Sequence, residues 1–432
     1  MNFKKYSSLI VITLLLIGFV SAQDISVEIQ SEFRNEIKAL VLKPKIINAF
    51  KKIIELEEDT ESEHIQLNEV PAPPFKEMER ALLFQEMINW VGVDSSWIDE
   101  VGNVIALRKG KSSARTVCLD AHLDTVFPEG TDVRVRIKGD TLMAPGIGDD
   151  TRGLAILLAV LKAMNDASIY TEDDVLFIAS VGEEGLGDLR GVKHIFSEGP
   201  KVDSWISIDG GSIGRVNTQG LGSYRYRVKY IGPGGHSWGA FGLVNPHHAL
   251  GDAIARFVER ADEYTMTGPR TSYNVGIISG GTSVNSIPFE SIMEIDMRSV
   301  DPTRLDTMEV LLKTSIQEAL DVQNGKKRLG APLTVETIQI GNRPSGELDN
   351  SLPLIQRTMA ATAYMGKRPK ITRGSTNSNI PIAMGIPAVT IGRGGIGGNA
   401  HALDEWWLNK EGYKAIQLAM LTLIAEAGFA TY

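Results

Sequence analysis

Residues 175–180, Val-Leu-Phe-Ile-Ala-Ser, form a short apolar run that leads straight into adjacent acids, Glu183-Glu184. The arrangement recurs along the chain. His122-Leu-Asp124 follows the apolar segment 116–119, Asp209 follows 205–208, and Asp149-Asp150 lies in a turn ahead of the apolar stretch 153–167. Runs this short and continuous fit strands buried on both faces of a sheet, and helical spacing fills the stretches between them. Open sheets of alternating strands and helices gather their functional groups at the carboxyl ends of the strands. The pattern confines the chain to an α/β fold in which several carboxylates and an imidazole meet along one edge of a sheet.

Such a meeting supplies nitrogen and oxygen donors for a hydrolytic metal centre and almost no thiolate, because Cys118 is the one cysteine. Cys118 sits in an apolar strand pattern and reads as a buried, inert thiol that can form no intrachain disulfide. A chain of 432 residues, 43% of them hydrophobic, is long for one core and predicts two domains. Residues 1–22 read as a cleaved secretory signal: Lys4 and Lys5, the apolar stretch 9–20, then small residues and a cut after Ala22. That stretch is short for a membrane span; an uncleaved N-terminal anchor is the alternative. A secreted or periplasmic location follows, with no stable membrane insertion after cleavage. The formal net charge is −9, and loss of the two signal lysines leaves the mature chain more acidic still, which argues against nucleic acid as a partner.

Residues 35–58 have helical apolar spacing, Pro71-Ala-Pro-Pro74 breaks it, and 75–92 resumes as helix. The style changes near Gly214. Residues 223–230, Ser-Tyr-Arg-Tyr-Arg-Val-Lys-Tyr, alternate strictly, as in a sheet with one wet face. A helix from Pro246 to 261, strands 271–279 and 290–298, a helix from Pro302 to 320 and a strand over 332–340 complete the order β-α-β-β-α-β of a ferredoxin-like split unit. After Gly341 strand–helix alternation returns, through 386–391 to a closing helix over 409–427. The expected organisation is a catalytic domain in two parts, 23–215 and 342–432, with a smaller domain, 216–341, inserted between them.

Taken singly, the candidate site residues leave alternatives open. His122 can ligate a metal through one ring nitrogen while Asp124 fixes the other, or it can be a structural histidine beside a capping acid. Asp149 can bridge two metals near a helix N-terminus, or be a plain N-cap. Glu183-Glu184 is more specific, since adjacent like charges repel and add little to stability, although a solvated loop tip also fits. Asp209 ends another strand, and His401 follows the glycine-rich segment 392–399, which lacks the lysine of a phosphate-binding loop.

As a set, in order and spacing, these motifs resemble the co-catalytic dizinc metallopeptidase family of peptidase T, carboxypeptidase G, aminoacylase, acetylornithine deacetylase and succinyl-diaminopimelate desuccinylase. The resemblance covers nearly all of the mature chain, and Glu183-Glu184-Gly-Leu-Gly with His401-Ala-Leu-Asp-Glu405-Trp406 is most similar to peptidase T-like members. It implies a zinc-peptidase domain, with a central mixed, mostly parallel sheet and helices on both faces, carrying an inserted ferredoxin-like lid or dimerisation domain. It further implies two Zn2+ per subunit, with Co2+ or Mn2+ as substitutes. Asp149 would bridge the two ions, His122 and Asp209 would complete one site, and Glu184 and His401 the other. The Asp149-Asp150 peptide resembles one that is cis in the family. Asp124 would orient His122, and Glu183 would be the general base. In Gly232-Pro-Gly-Gly-His236-Ser237, His236 matches a histidine that reaches the partner subunit's site and stabilises the oxyanion. Asn285, Arg298, Gly374, Ser375 and Asn377 match substrate-binding positions, Asn377 standing where the family usually has Asp. His64, His194, His247 and His248 match nothing catalytic and read as structural or surface residues.

The resulting expectation is an exported metal-dependent exopeptidase, a di- or tripeptidase or aminopeptidase, that cleaves amide bonds in small peptides with an activated water and pairs as a homodimer through the inserted domain. An N-acyl amino-acid deacylase or carboxypeptidase of the same family is one alternative. A non-catalytic metal- or peptide-binding protein on the same scaffold is the other.

Overall fold

The computed structural model describes residues 28–431, so the signal segment lies outside the described residues. Four mutually parallel strands form the centre of the main sheet, in the order Asp174–Ser180, Thr116–His122, Ser204–Ile208 and Ala388–Ile391. Almost every residue in them is buried, which is why they appear in the sequence as continuous apolar runs. Helices Thr151–Asp166 and Tyr413–Ala427 pack against Thr116–His122, and Pro353–Tyr364 packs against Ala388–Ile391. Antiparallel strands Val104–Arg108 and Ser95–Ile98 extend one side. On the other, Arg215–Gly220 pairs antiparallel with Ala388–Ile391 and Gly346–Glu347, and in parallel with Lys370–Gly374.

The N-terminal helical region differs from the single stretch expected over 35–58. It forms three helices, Ser31–Val41, Pro44–Glu55 and Glu57–Glu69. Pro44 explains the first break: it cannot donate a backbone hydrogen bond, and it disfavours helical backbone at Lys43, which is extended at φ −68°, ψ 132°. The closing helix starts at Tyr413 rather than 409, because Asn409 Oδ1 accepts the Gly412 N–H at 3.1 Å and holds a turn ahead of it.

A second, wholly antiparallel sheet has the order Thr271–Gly280, Glu290–Ser299, Gly222–Ile231, Thr334–Arg343. With helices Pro246–Thr265 and Pro302–Gly325 it is a ferredoxin-like unit with its own core around Tyr230, Phe257, Met293 and Leu312. Asn245 and Asp301 cap those helices through side-chain oxygens, each followed by proline at the first position. The open face carries cross-strand ion pairs, Arg225–Asp296 at 3.0 Å, Arg227–Glu294 at 2.7 Å and Lys229–Glu290 at 2.7 Å. These pairs are the polar half of the strict alternation.

A third, small sheet matters most for the site. Strand Ile396–Gly398 pairs with Trp406–Leu408, which pairs with Thr141–Met143, which pairs with Arg136–Lys138. Trp406 lies opposite Met143. The turn bearing His401, which leaves one of these strands and returns on the next, is thereby brought beside the turn that runs from Met143 to Asp149.

Candidate metal centre and substrate cleft

The parallel strands deliver their polar residues to one edge. His122 is the last residue of its strand and pairs in register with Ser180, a few residues short of Glu183. His122 Nδ1 lies 3.0 Å from the Asp124 backbone carbonyl, which can only accept, so Nδ1 carries the proton and Nε2 is turned to the cleft. Nε2 stands 3.0 Å from Asp149 Oδ1. The other Asp149 oxygen, Oδ2, is 3.3 Å from His401 Nε2, and that nitrogen is 3.0 Å from Glu184 Oε1. One carboxylate therefore faces two imidazoles, one on each oxygen. Ligand atoms of His122, Asp149 and Glu184 all lie within 4.8 Å of one another. Asp209 lines the same cleft.

The local backbone explains these positions. Asp150, not Asp149, is the N-cap of helix Thr151–Asp166, accepting from Gly153 N. Asp149 is therefore free to face the cleft, and the Asp149-Asp150 peptide is cis. Glu183 and Glu184 are 5% and 7% exposed, which removes the solvated-loop alternative. Asp124 acts mainly on their loop: its carboxylate accepts the Glu183 N–H at 3.0 Å and the Glu184 N–H at 2.8 Å. Its Oδ1 is 3.6 Å from His122 Nδ1, so the backbone carbonyl of Asp124, rather than its carboxylate, is the nearer partner of the ring.

Crowded acids set the electrostatics. Burial disfavours charge on His122, yet its hydrogen bonds to Asp124 and Asp149 hold it well above the ordinary histidine range. His401 is pushed up to about 10 by hydrogen bonds to Asp149 and Glu184. Burial raises Glu184 and Asp209, and it drives Glu183 to about 8 against the opposing charge of Arg343, with Glu184 adding to the rise. Asp149 is held below the usual carboxylate range, because His122 and His401 outweigh its burial. A donor set built from imidazole nitrogen and carboxylate oxygen around one cleft fits divalent metal cations.

The cleft has a volume of about 310 Å³, and its other wall is basic. Arg225, Arg298 and Arg343 line it with Ser375 and Val126. Arg343 is 4% exposed; its Nη1 is 3.2 Å from Glu183 Oε1 and donates to Ser375 Oγ at 3.1 Å, and its Nη2 donates to the Glu183 carbonyl. Asp296 orients the other two, accepting from Arg225 Nε at 3.0 Å and Arg298 Nε at 2.7 Å. Arg225 and Arg343 were not among the residues singled out from the sequence. Arg225 is one of two arginines in an alternating strand and Arg343 ends another, patterns that carry no signal until the strands are placed.

Four of the expected residues stand elsewhere. Asn377 is 2% exposed and lies behind the cleft wall, donating to Asp120 Oδ2 and Ser180 Oγ, each at 2.7 Å. It therefore supports the strand ends and does not reach the cleft. His236 and Asn285 are exposed neighbours in the inserted domain, linked through Ser237 N and the Asn285 carbonyl at 2.9 Å, and neither lines the cleft of its own chain. Gly374 sits one residue behind the wall, where a Cβ would stand 2.8 Å from Arg215 Nη2. Cys118 is buried, as expected. His64 is also fully buried, its Nε2 donating to the Ile147 carbonyl at 2.6 Å.

Known proteins share this architecture. The protein YqjE of Bacillus subtilis is 23% identical over 356 residues, covering 77% of this chain and 89% of that protein. The aminopeptidase PepT from Bacillus cereus superposes with a TM-score of 0.66 at 20% identity, covering 85% of this chain and 98% of that one. The dipeptidase Dug1p from Saccharomyces cerevisiae superposes with a TM-score of 0.69 at 17% identity, covering 88% and 98%. These superpositions show the fold. The sequence model of the family matches residues 118–425, most of the chain and all of the acids and histidines of the cleft. The chain belongs to peptidase family M20/M25/M40.

Proposed function

We propose that this peptidase is an exported, zinc-dependent di- or tripeptidase that holds a short peptide by its terminal carboxylate and cleaves the amide bond next to it. The observation that carries the reading is the two-sided cleft: a carboxylate–imidazole cluster on one wall, and Arg225, Arg298 and Arg343 on the other. Every acid lining the cleft, Asp149, Glu183, Glu184 and Asp209, belongs to the cluster, so none is spare to pair with a substrate amine. That weighs against a strict aminopeptidase. The guanidinium of Arg298 has its Nε engaged by Asp296, which leaves its outer edge for a bidentate grip on a carboxylate. The same arginines favour a second reading, an N-acyl amino-acid deacylase or carboxypeptidase.

His122, Asp149 and Asp209 would hold one divalent ion, and Asp149, Glu184 and His401 the other. Bound there, the ions supply Lewis acidity and lower the pKa of water. The chain's own residues do the rest. Glu183, raised by burial and steadied by Arg343, accepts the proton of the attacking water and returns it to the leaving nitrogen. Asp124 fixes the backbone of that base through two N–H bonds. Pairing into a homodimer rests on the exposed His236 loop, and export on the N-terminal pattern.

The test is hydrolysis of free di- and tripeptides, C-terminally amidated peptides and N-acetyl amino acids, with added zinc and with chelator. Chelator-sensitive cleavage of free peptides, with amidated ones resistant, is expected. Preference for N-acetyl substrates would move the assignment to the deacylase. Cleavage of amidated peptides at full rate would overturn the carboxylate grip, and tight binding without turnover would make this a binding protein.

A further inference from the structure

The loop bearing Glu183-Glu184 is held from two sides. Asp124 grips it from the main sheet, and three side chains link it to the inserted domain. Arg343 reaches the Glu183 carbonyl and Oε1. Arg225 Nη1 donates to the Gly185 carbonyl. In the opposite direction, the Asp188 carboxylate accepts the Asn342 backbone N–H at 2.8 and 2.9 Å, while pairing with Lys193 at 2.5 Å.

Asn342 and Arg343 end the strand on which the chain returns from the inserted domain. Their register partners, Tyr224 and Ser223, lie near the start of the strand on which it leaves. The two connecting strands thus run side by side at the point Asp188 grips. Gly341 makes the approach possible: a Cβ there would stand 3.1 Å from Arg225 Cδ and 3.3 Å from Asp188 Oδ1. Asp188 and its neighbour Leu189 hold left-handed backbone, φ 53° and 60°, which costs on the order of 1–2 kcal/mol per residue for an L side chain. Apolar packing does not replace these links. Leu186 is 45% exposed, and a cavity of about 160 Å³ separates it from the open face of the inserted sheet.

We propose that Asp188 is a positioning residue: its grip on Asn342 couples the position of the inserted domain to the placement of Glu183. The inference rests on the reading of Glu183 as the base. Glycine is at ease in left-handed backbone, so Asp188→Gly removes the carboxylate without adding strain. In the zinc-loaded full-length chain, Asp188→Gly is expected to lower kcat about 10- to 100-fold, the cost of a small misplacement of a reacting group, with KM within about threefold and metal content unchanged. Asp188→Asn, which keeps one acceptor for the Asn342 N–H, should recover most of kcat. Lys193→Ala should stay near wild type, because it spares the backbone link. Should the glycine variant not fold, Asp188→Ser is read by the same criteria. Wild-type kcat in the carboxylate-free variant, loss of metal in parallel with kcat, or an equal loss in Lys193→Ala would each overturn the proposal. Glu183→Gln is measured alongside. If it retains turnover, the reading of the base fails; if it is inactive while Asp188→Gly is normal, only the coupling fails.

Discussion

The Glu405 carboxylate accepts three backbone N–H groups from the turn that presents Asp149: Gly146 at 2.8 Å, Gly148 at 2.9 Å and Asp149 itself at 3.0 Å. It is fully buried and follows His401 by one turn of chain, so it ties together the segments carrying two of the candidate ligands. Glutamine in its place keeps one oxygen but turns an amide donor toward an N–H, leaving a buried donor unmet at about 1–3 kcal/mol. Glu405→Gln is therefore expected to weaken metal binding about 10- to 100-fold, the usual cost of losing support behind a ligand, as read by competition with a chromophoric chelator. Unchanged affinity would show that the turn holds its shape without the carboxylate. In the sequence Glu405 stands in the closing motif His401-Ala-Leu-Asp-Glu405-Trp406 with no role of its own, whereas Glu183-Glu184 announces itself by adjacency. Asn377 marks a different gap: the resemblance locates it in a functional segment, but only packing shows it turned toward buried Asp120, whose pKa burial raises to about 6.

At the scale of elements, two kinds of strand are legible in the sequence: those buried on both faces, which read as mostly apolar runs, and the long strands of the inserted sheet, which alternate because one face is wet. Short edge strands such as Ser95–Ile98 and Arg136–Lys138 were not legible, since half or more of their residues face water. The helix Glu57–Glu69 shows how a polar element can still anchor the site. It buries His64 against Trp407, with ring centroids 5.3 Å apart, and that ring donates to Ile147 in the turn before Asp149. Burial depresses His64 to about 3, with the charge of Arg152 adding to the fall. A histidine freed by unfolding takes up a proton near pH 6.5, so between that value and about 3 the unfolded state binds more protons. The stabilisation is thus complete above the unfolded value and is lost as pH falls. Urea unfolding of the metal-free protein should show a loss between pH 7 and pH 5 that exceeds that of His64→Phe by about 2 kcal/mol. Parallel pH profiles for the two would mean that His64 is already accessible to protons in the folded chain.

For the whole molecule the question is where the inserted domain points its most exposed loops. Trp238 is 87% exposed and Val284 fully so, and they flank His236 and Asn285 on adjoining turns. His236 Nδ1 accepts the backbone N–H groups of Trp238 and Gly239, each at 3.2 Å, which fixes the ring with Nε2 outward. Under the proposed dimer, a histidine oriented this way and outside its own chain's cleft would serve the partner's. In a two-fold dimer each cleft would then draw its metal ligands and base from one chain and His236 from the other. Chains carrying His236→Ala, or Glu183→Ala, are each expected to be nearly inactive. Mixed and allowed to exchange, half of the dimers contain one chain of each kind, and in these one cleft has both residues intact. Activity should return to about a quarter of wild type at equal mixing, the share set by two-fold symmetry. Proven mixed dimers without recovery would mean that each cleft is completed within its own chain, and the apolar loop around Trp238 would then need a different occupant.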